Sequence, residues 1–248
     1  MPSVLKLQQT EDKDLRFLAG YIYHHVFYSY TLKQWGLKPE ELDPSVTGRV
    51  PVYISRDDRY FQDTYQAMPK QGYTAMFQRM LRHKNIKVLL NTDYREVVEE
   101  VKFDRMIYTG PIDAFFDHMY GPLPYRSLRF VFEYQEVAQA QEVGTVNYPN
   151  EHAFTRITEF KHLTGQKHPG STVAVEYPQA HEPRLTIPYY PLPREENSSL
   201  YNLYRKEAER LKQIVFFAGR LADYRCYNMD QAVAQALKLF EEACLWQV

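Results

Sequence analysis

Four arginines stand in aromatic surroundings: Arg49 in GRVPVY, Arg126 in PYRSLRF, Arg156 in FTRITEF and Arg220 in FAGRL. A guanidinium is a planar fork that grips phosphate oxygens with two hydrogen bonds at once. On a strand of a concave sheet it is suited to hold a diphosphate in one place. Taken singly, each of the four is better read as half of a surface or interface ion pair. The aromatic content is 15%, with 21 tyrosines. A tyrosine combines a flat apolar face with a hydroxyl, which suits sugars, bases and flavins, although an aromatic-rich core is the simpler account of any one of them.

The second candidate is a strand–turn–helix unit at 214–243. The apolar run IVFFA (214–218) ends in Gly219 and Arg220, and a helix start follows. Asn228 is a good N-cap, with Gln231 three residues on as in a capping box. Such a unit can deliver backbone N–H groups to an anion, and spacing leaves equally open that it is a structural βα unit. Other chemistries lack their signatures. No G-x-G-x-x-G follows a strand, no glycine-rich turn ends in Lys-Ser or Lys-Thr, and no G-x-S-x-G elbow occurs. The eight histidines form no H-E-x-x-H and none stands beside a cysteine pair, so no metal site is expected.

These residues need a frame. Leu15, Leu18, Ile22 and Val26 recur at helical spacing over 11–30, and Gly36 and Pro39 end the pattern, which predicts a helix feeding a loop, TLKQWG. A second helix is expected over 70–83, then a buried strand at Val88–Leu90 and another at MIYTG (106–110). From 126 to 190 the reading changes. RSLRFVFEY puts Leu128, Phe130, Phe132 and Tyr134 on one face, and FTRITEF and STVAVEY read as further strands between turns. Successive strands without intervening helices predict an antiparallel sheet. A helix near 198–212 and a strand at 214–218 follow. The last helix carries Val233, Ala236, Leu237, Phe240 and Cys244 on one face.

Composition narrows the class. The chain has 248 residues, long enough for one or two domains and a sizeable core, with 30 basic and 31 acidic residues. That balance suggests neither a nucleic-acid footprint nor a polybasic membrane patch, so anions would be held by a few placed cations. Two cysteines, Cys226 and Cys244, make no disulfide framework, which fits a reducing cytoplasm. The polar start lacks a signal peptide's apolar segment, and no run of membrane-spanning length is present.

Nine strings in order resemble the UDP-galactopyranose mutase family: YTLKQWG (30–36), GRVPVY (48–53), DDRYFQDTYQAMP (57–69), QGYTAM (71–76), IYTGPID (107–113), LPYRSLRF (123–130), FTRITEFKHL (154–163), IPYYP (187–191) and FAGRLADYRCYNMDQ (217–231). The resemblance implies a mixed α+β and α/β fold with three parts. These are a partial helical domain (1–50), the carboxy-terminal part of a Rossmann-like FAD domain (51–121 and 198–248), and a six-stranded antiparallel substrate domain (122–197). It implies a cytoplasmic isomerase of cell-wall polysaccharide biosynthesis that interconverts UDP-galactopyranose and UDP-galactofuranose. Reduced FAD does the covalent work through its N5, and no side chain acts as nucleophile.

By the same resemblance, Tyr30, Thr31 and Trp35 line the uridine and sugar path, and Arg49 and Arg156 clamp the diphosphate. Tyr60 and Tyr190 touch it, and Arg126 and Asn147 stand near. Arg220 and Asn228, Met229, Asp230, Gln231, Ala232, Val233 and Ala234 contact the flavin. Two departures stand out: Cys226 replaces an expected tyrosine at the diphosphate, and Asn228 an aspartate found in some members. The family's glycine-rich flavin segment has no counterpart here, so the chain is expected to hold FAD weakly or not at all unless a complementing amino-terminal segment joins it. UDP or UDP-galactose is the expected ligand, and homo-oligomers remain open. The competing reading is a non-catalytic or degenerate sugar-nucleotide-binding fragment.

Overall fold

A computed structural model describes residues 4–43, 46, 55–57, 59 and 63–244, with the side chains of 243 and 244 excepted. Short helix α1 (Val4–Leu7) leads to α2 (Lys13–Ile22), whose N-terminus is capped by Asp12 accepting from the N–H groups of Asp14 and Leu15. The rod then widens into a π-helical stretch, Tyr23–Tyr28, and continues as α3 (Ser29–Trp35). TLKQWG is therefore mostly helix, and Trp35 ends the helix where a loop residue was expected. Gly36 makes the stop: at φ 70° it takes the left-handed conformation, and its N–H donates to Leu32 O at 2.8 Å. The buried stripe also differs from the expected one. Ala19 and Tyr23 pack with Val4, whereas Leu18 and Val26 are 45% and 50% exposed. Helix α1 sets Val4 against the Ala19–Tyr23 side, one residue off the expected stripe, and the π turn that follows breaks the 3.6 period before Val26.

Two sheets follow. Strand β1 (Met106–Tyr108) pairs in parallel with the late strand β7 (Val215–Phe217). The larger sheet is antiparallel and is built from β2 (Tyr125–Gln135), β3 (Thr145–Asn147), β4 (Arg156–Glu159), β5 (Ser171–Ala180) and β6 (Tyr190–Pro191). Its order is β3-β4-β5-β2-β6, five strands among the described residues where the family resemblance implied six. The alternation expected for β2 is correct in phase, but only Leu128 on that face is buried; Phe132 and Tyr134 are 64% and 60% exposed. The main core lies between the sheets. Helix α6 (Ile112–Phe115) and the long α8 (Glu195–Leu211) bring Ile112 and Tyr204 onto Leu123 and Tyr125.

Helix α4 (Gly72–Met80) falls where expected and is followed by short α5 (Tyr94–Val97). The predicted strand at 88–90 does not form, and Val88, Leu89 and Leu90 are 51%, 61% and 78% exposed. A strand needs a partner for its N–H and C=O groups, and none of the described residues pairs with this run. Helix α7 (Phe160–Thr164) follows β4, and α9 (Met229–Cys244) closes the description. The expected apolar stripe of α9 is present, but Val233, Leu237 and Phe240 point to solvent at 59–63% exposure.

Candidate functional site

The antiparallel register assembles the site. Asn147 pairs with Arg156, Arg156 with Glu176, and Glu176 with Phe130, so these four lie in one row across β3, β4, β5 and β2. Paired residues share a face of the sheet. Arg126 lies four residues before Phe130 on that same face and pairs with Tyr190 of β6. The face therefore carries Asn147, Arg156, Arg126 and Tyr190, all candidates from sequence, together with Glu176, which sequence reasoning missed.

Arg156 is the centre of this group. Its Nε donates to Asn147 Oδ1 at 3.1 Å, and its Nη2 donates to the Tyr30 hydroxyl at 3.2 Å. Nη1 lies 3.8 Å from Glu176 Oε2, an ion-pair distance too long for a hydrogen bond. Burial pulls the guanidinium's pKa down, but the neighbouring Tyr30 and Glu176 outweigh it and the net shift is upward. Among the described residues, two of its five guanidinium N–H groups find acceptors, Asn147 Oδ1 and the Tyr30 hydroxyl.

Around it, Trp35 and Tyr190 meet with ring centroids 5.9 Å apart, and the Arg220 guanidinium carbon lies 5.3 Å from the Tyr190 ring centre. Burial, reinforced by Glu176, raises the pKa of Tyr190, so its hydroxyl stays a donor. Arg220 sits after Gly219 in the βα turn that follows β7. Its Nε is buried and has no hydrogen-bond partner among the described residues. An orphan N–H of this kind is costly unless something accepts from it. Beside Glu176 the face continues as an open apolar hollow of about 200 Å³ lined by Phe130, Phe132, Thr158, Phe160 and Ala174.

Two candidates have different surroundings from those expected of ligand residues. Arg126 is turned to the end of α3, where its Nε donates to Gln34 O at 2.9 Å and its Nη2 to Lys33 O at 3.3 Å. It thus satisfies carbonyls that a helix C-terminus leaves open. Thr31 is buried at 5% exposure. In the βα unit, Asn228 N–H donates to Gln231 Oε1 at 2.9 Å, the expected half of the capping box, and Ala232 N–H donates to Asn228 O. Met229, Asp230, Gln231, Val233 and Ala234 are exposed, and Ala232 is half-buried. Arg49 and Tyr60 lie outside the described residues.

Sequence reasoning also passed over Lys33 and Gln34, the centre of YTLKQWG. Lys33 Nζ donates to the backbone carbonyls of Tyr148, His152 and Phe154. Gln34 is 6% exposed and its Oε1 has no partner among the described residues. Glu176 had one faint signal: it is the single charged residue in STVAVEYPQA.

The family model described as UDP-galactopyranose mutase matches residues 25–226, most of the chain and all of the cluster around Arg156, but not Asn228–Ala234. The chain belongs to the UDP-galactopyranose mutase family. Among curated relatives it is 39% identical over 245 residues to a probable UDP-galactopyranose mutase of Klebsiella pneumoniae, covering 97% of this chain and 62% of that protein. It is 36% identical over 238 residues to a dTDP-fucopyranose mutase of Escherichia coli, covering 93% and 63%. A UDP-galactopyranose mutase of Mycoplasma pneumoniae is 34% identical over 255 residues, covering 97% and 64%. The chain thus spans less than two thirds of the length of these family members. Among the described residues, no group of His, Cys, Asp or Glu is placed to hold a metal, and no helix is long and apolar enough to cross a membrane.

Proposed function

We propose that this chain carries the nucleotide-sugar half of a pyranose–furanose mutase, with UDP-galactopyranose and UDP-galactofuranose as its substrate pair. The observation that carries the reading is Arg156. Its guanidinium is held by Tyr30 and Asn147, has N–H groups with no acceptor among the described residues, and faces a rim of Trp35, Tyr190 and Arg220. That arrangement suits a diphosphate flanked by flat groups. Arg156 binds it as a fork, the Tyr190 hydroxyl donates to it, and Trp35 and Tyr30 border the nucleoside. Arg49 and Tyr60 join the clamp by family resemblance. The hollow beside Glu176 has the size of a hexose, whose C–H face packs on Phe130 and Phe132. Cytoplasmic supply of galactofuranose for cell-surface polysaccharide is the setting the resemblance suggests.

The family reading includes a flavin, and the closing βα unit fits one edge of it. Arg220 offers an N–H with no acceptor among the described residues, Gly219 at φ 94° leaves open space beside the turn, and a helix start such as that of α9 has N–H groups without an intrahelical partner. Arg220 and Asn228–Ala234 would hold that edge. When bound, reduced FAD supplies nucleophilic chemistry at the anomeric carbon. The chain's own part is to grip the diphosphate leaving group, orient the sugar and, through the cation of Arg156, stabilise the charge that develops on departing UDP.

The dTDP-fucopyranose relative favours a second reading, a dTDP-6-deoxyhexose in the same site. A thermal-shift panel separates the two. UDP and UDP-galactose are expected to raise the melting temperature more than dTDP and dTDP-fucose do, because only a ligand of the folded site stabilises. The reverse order establishes the second reading. No shift with either pair contradicts both.

A further inference from the structure

Lys33 is not explained by ligand contact. Its ammonium, on a half-buried side chain, donates to the carbonyls of Tyr148, His152 at 2.9 Å and Phe154 at 3.0 Å, and no carboxylate among the described residues pairs with it. Three convergent carbonyls match the three N–H groups of an ammonium. All three belong to the connection between β3 and β4. The rings of that connection pack on one another: His152 and Phe154 stack at 4.6 Å, and Tyr148 meets Phe154 edge-on at 4.9 Å. Its two ends carry Asn147 and Arg156. A second tie runs beside the first, from Asn150 Nδ2 to His25 O at 2.9 Å, a carbonyl of the π-helical stretch. On the helix side, Lys33 sits one turn after Tyr30 and two residues before Trp35.

We propose that Lys33 is a positioning residue: by gathering the 148–154 carbonyls it fixes α3 against the β3–β4 hairpin, so that the nucleoside-facing pair Tyr30 and Trp35 is set in register with the diphosphate-facing Arg156. The inference rests on the nucleotide-sugar reading given above and adds what couples its two ends. Partial burial lowers the Lys33 pKa, in keeping with a cation partly withdrawn from water among backbone carbonyls. A nucleoside diphosphate needs the helix and the hairpin in register at once, whereas inorganic pyrophosphate needs only the guanidinium.

That difference defines the test. UDP and inorganic pyrophosphate are titrated calorimetrically into the 248-residue chain and its Lys33→Met and Asn150→Ala variants, with melting temperatures alongside. Loss of register is expected to weaken UDP binding by about tenfold in Lys33→Met and less in Asn150→Ala, with pyrophosphate affinity kept within about twofold. Unchanged UDP affinity in Lys33→Met overturns the proposal. So does an equal fall for both ligands, which marks a purely structural residue. If Lys33→Met does not fold, Lys33→Gln and Asn150→Ala carry the same comparison, and the same two outcomes overturn the proposal. Failure of the unsubstituted chain to bind UDP overturns the nucleotide-sugar reading itself, whereas UDP binding that survives loss of the Lys33 tie overturns this inference alone.

Discussion

Replacing Arg156 by alanine removes the centre of the candidate site and little of the fold. Its side chain is 36% exposed, and the groups it holds, Asn147 and the Tyr30 hydroxyl, stand where water can replace it. Among the described residues two of its five N–H groups are engaged, so a diphosphate can take a bidentate pair from the others. Hydrogen bonds to charged groups contribute about 1.5–3 kcal/mol net, so Arg156→Ala should weaken UDP binding by roughly 10- to 150-fold. Glu176 sharpens the expectation. With the arginine gone its carboxylate remains beside the anion and repels it, so Arg156→Ala/Glu176→Gln should bind better than Arg156→Ala alone. Arg156→Lys keeps the charge but loses the fork, and should fall between wild type and alanine. Calorimetric titration of the four proteins gives the comparison. UDP affinity unchanged in Arg156→Ala, with melting temperature also unchanged, would refute the clamp.

Three further outcomes follow from the same geometry. Glu159 is fully buried, and its carboxylate accepts from Ala140 N–H, from Gln141 N–H at 2.8 Å and from Ser171 Oγ at 2.5 Å, with His162 Nε2 at 3.3 Å. Burial pushes its pKa up, but these donors outweigh burial and bring it from 4.5 down to about 2. Because the folded value lies below the unfolded one, this stability is present above pH 4.5 and is lost as pH falls toward about 2. Glu159→Gln should therefore cost about 1.5–3 kcal/mol at neutral pH, by denaturant titration, and flatten the acid limb of stability; an unchanged acid limb would contradict the assignment. Gly36→Ala forces a Cβ into a left-handed residue and to 3.3 Å from Arg126 Nη1. It should lower stability by about 1 kcal/mol and weaken UDP binding by displacing Trp35, and neither change would occur if the Gly36 turn were incidental. Arg220→Met should abolish any FAD-induced rise in melting temperature while weakening UDP binding less than Arg156→Ala does, and an undiminished rise would remove Arg220 from the cofactor edge.

What sequence made legible was chemistry carried by residue type and order. Arginines in aromatic strings named Arg156 and Arg220, and alternation in RSLRFVFEY gave β2 its correct phase. What it hid depends on partners distant in the chain. Nothing local in STVAVEY says that register will set Glu176 opposite Arg156. Nothing in PYRSLRF says that Arg126 will spend its donors on the carbonyls at the end of α3. The expected stripe of the first helix was displaced because Val4 of the preceding helix packs on Ala19 and Tyr23, and the π-helical stretch then breaks the period before Val26. The apolar run at 88–90 met the local requirement for a strand but found no ladder. The left-handed Gly36 was read correctly as a stop, yet the helix ran to the residue before it, which moved Trp35 from loop to helix end and onto Tyr190.

The central claim places a nucleoside diphosphate between α3 and the face of the antiparallel sheet, and Trp35 reports on it directly. The chain has two tryptophans, so Trp246→Phe leaves Trp35 as the sole indole. Titrating that variant with UDP should give a saturable change in Trp35 emission that UDP-galactose reproduces and that Arg156→Ala shifts to higher concentration. UDP binding seen by calorimetry while Trp35 emission stays constant would contradict the account, because the ligand would then lie elsewhere on the chain.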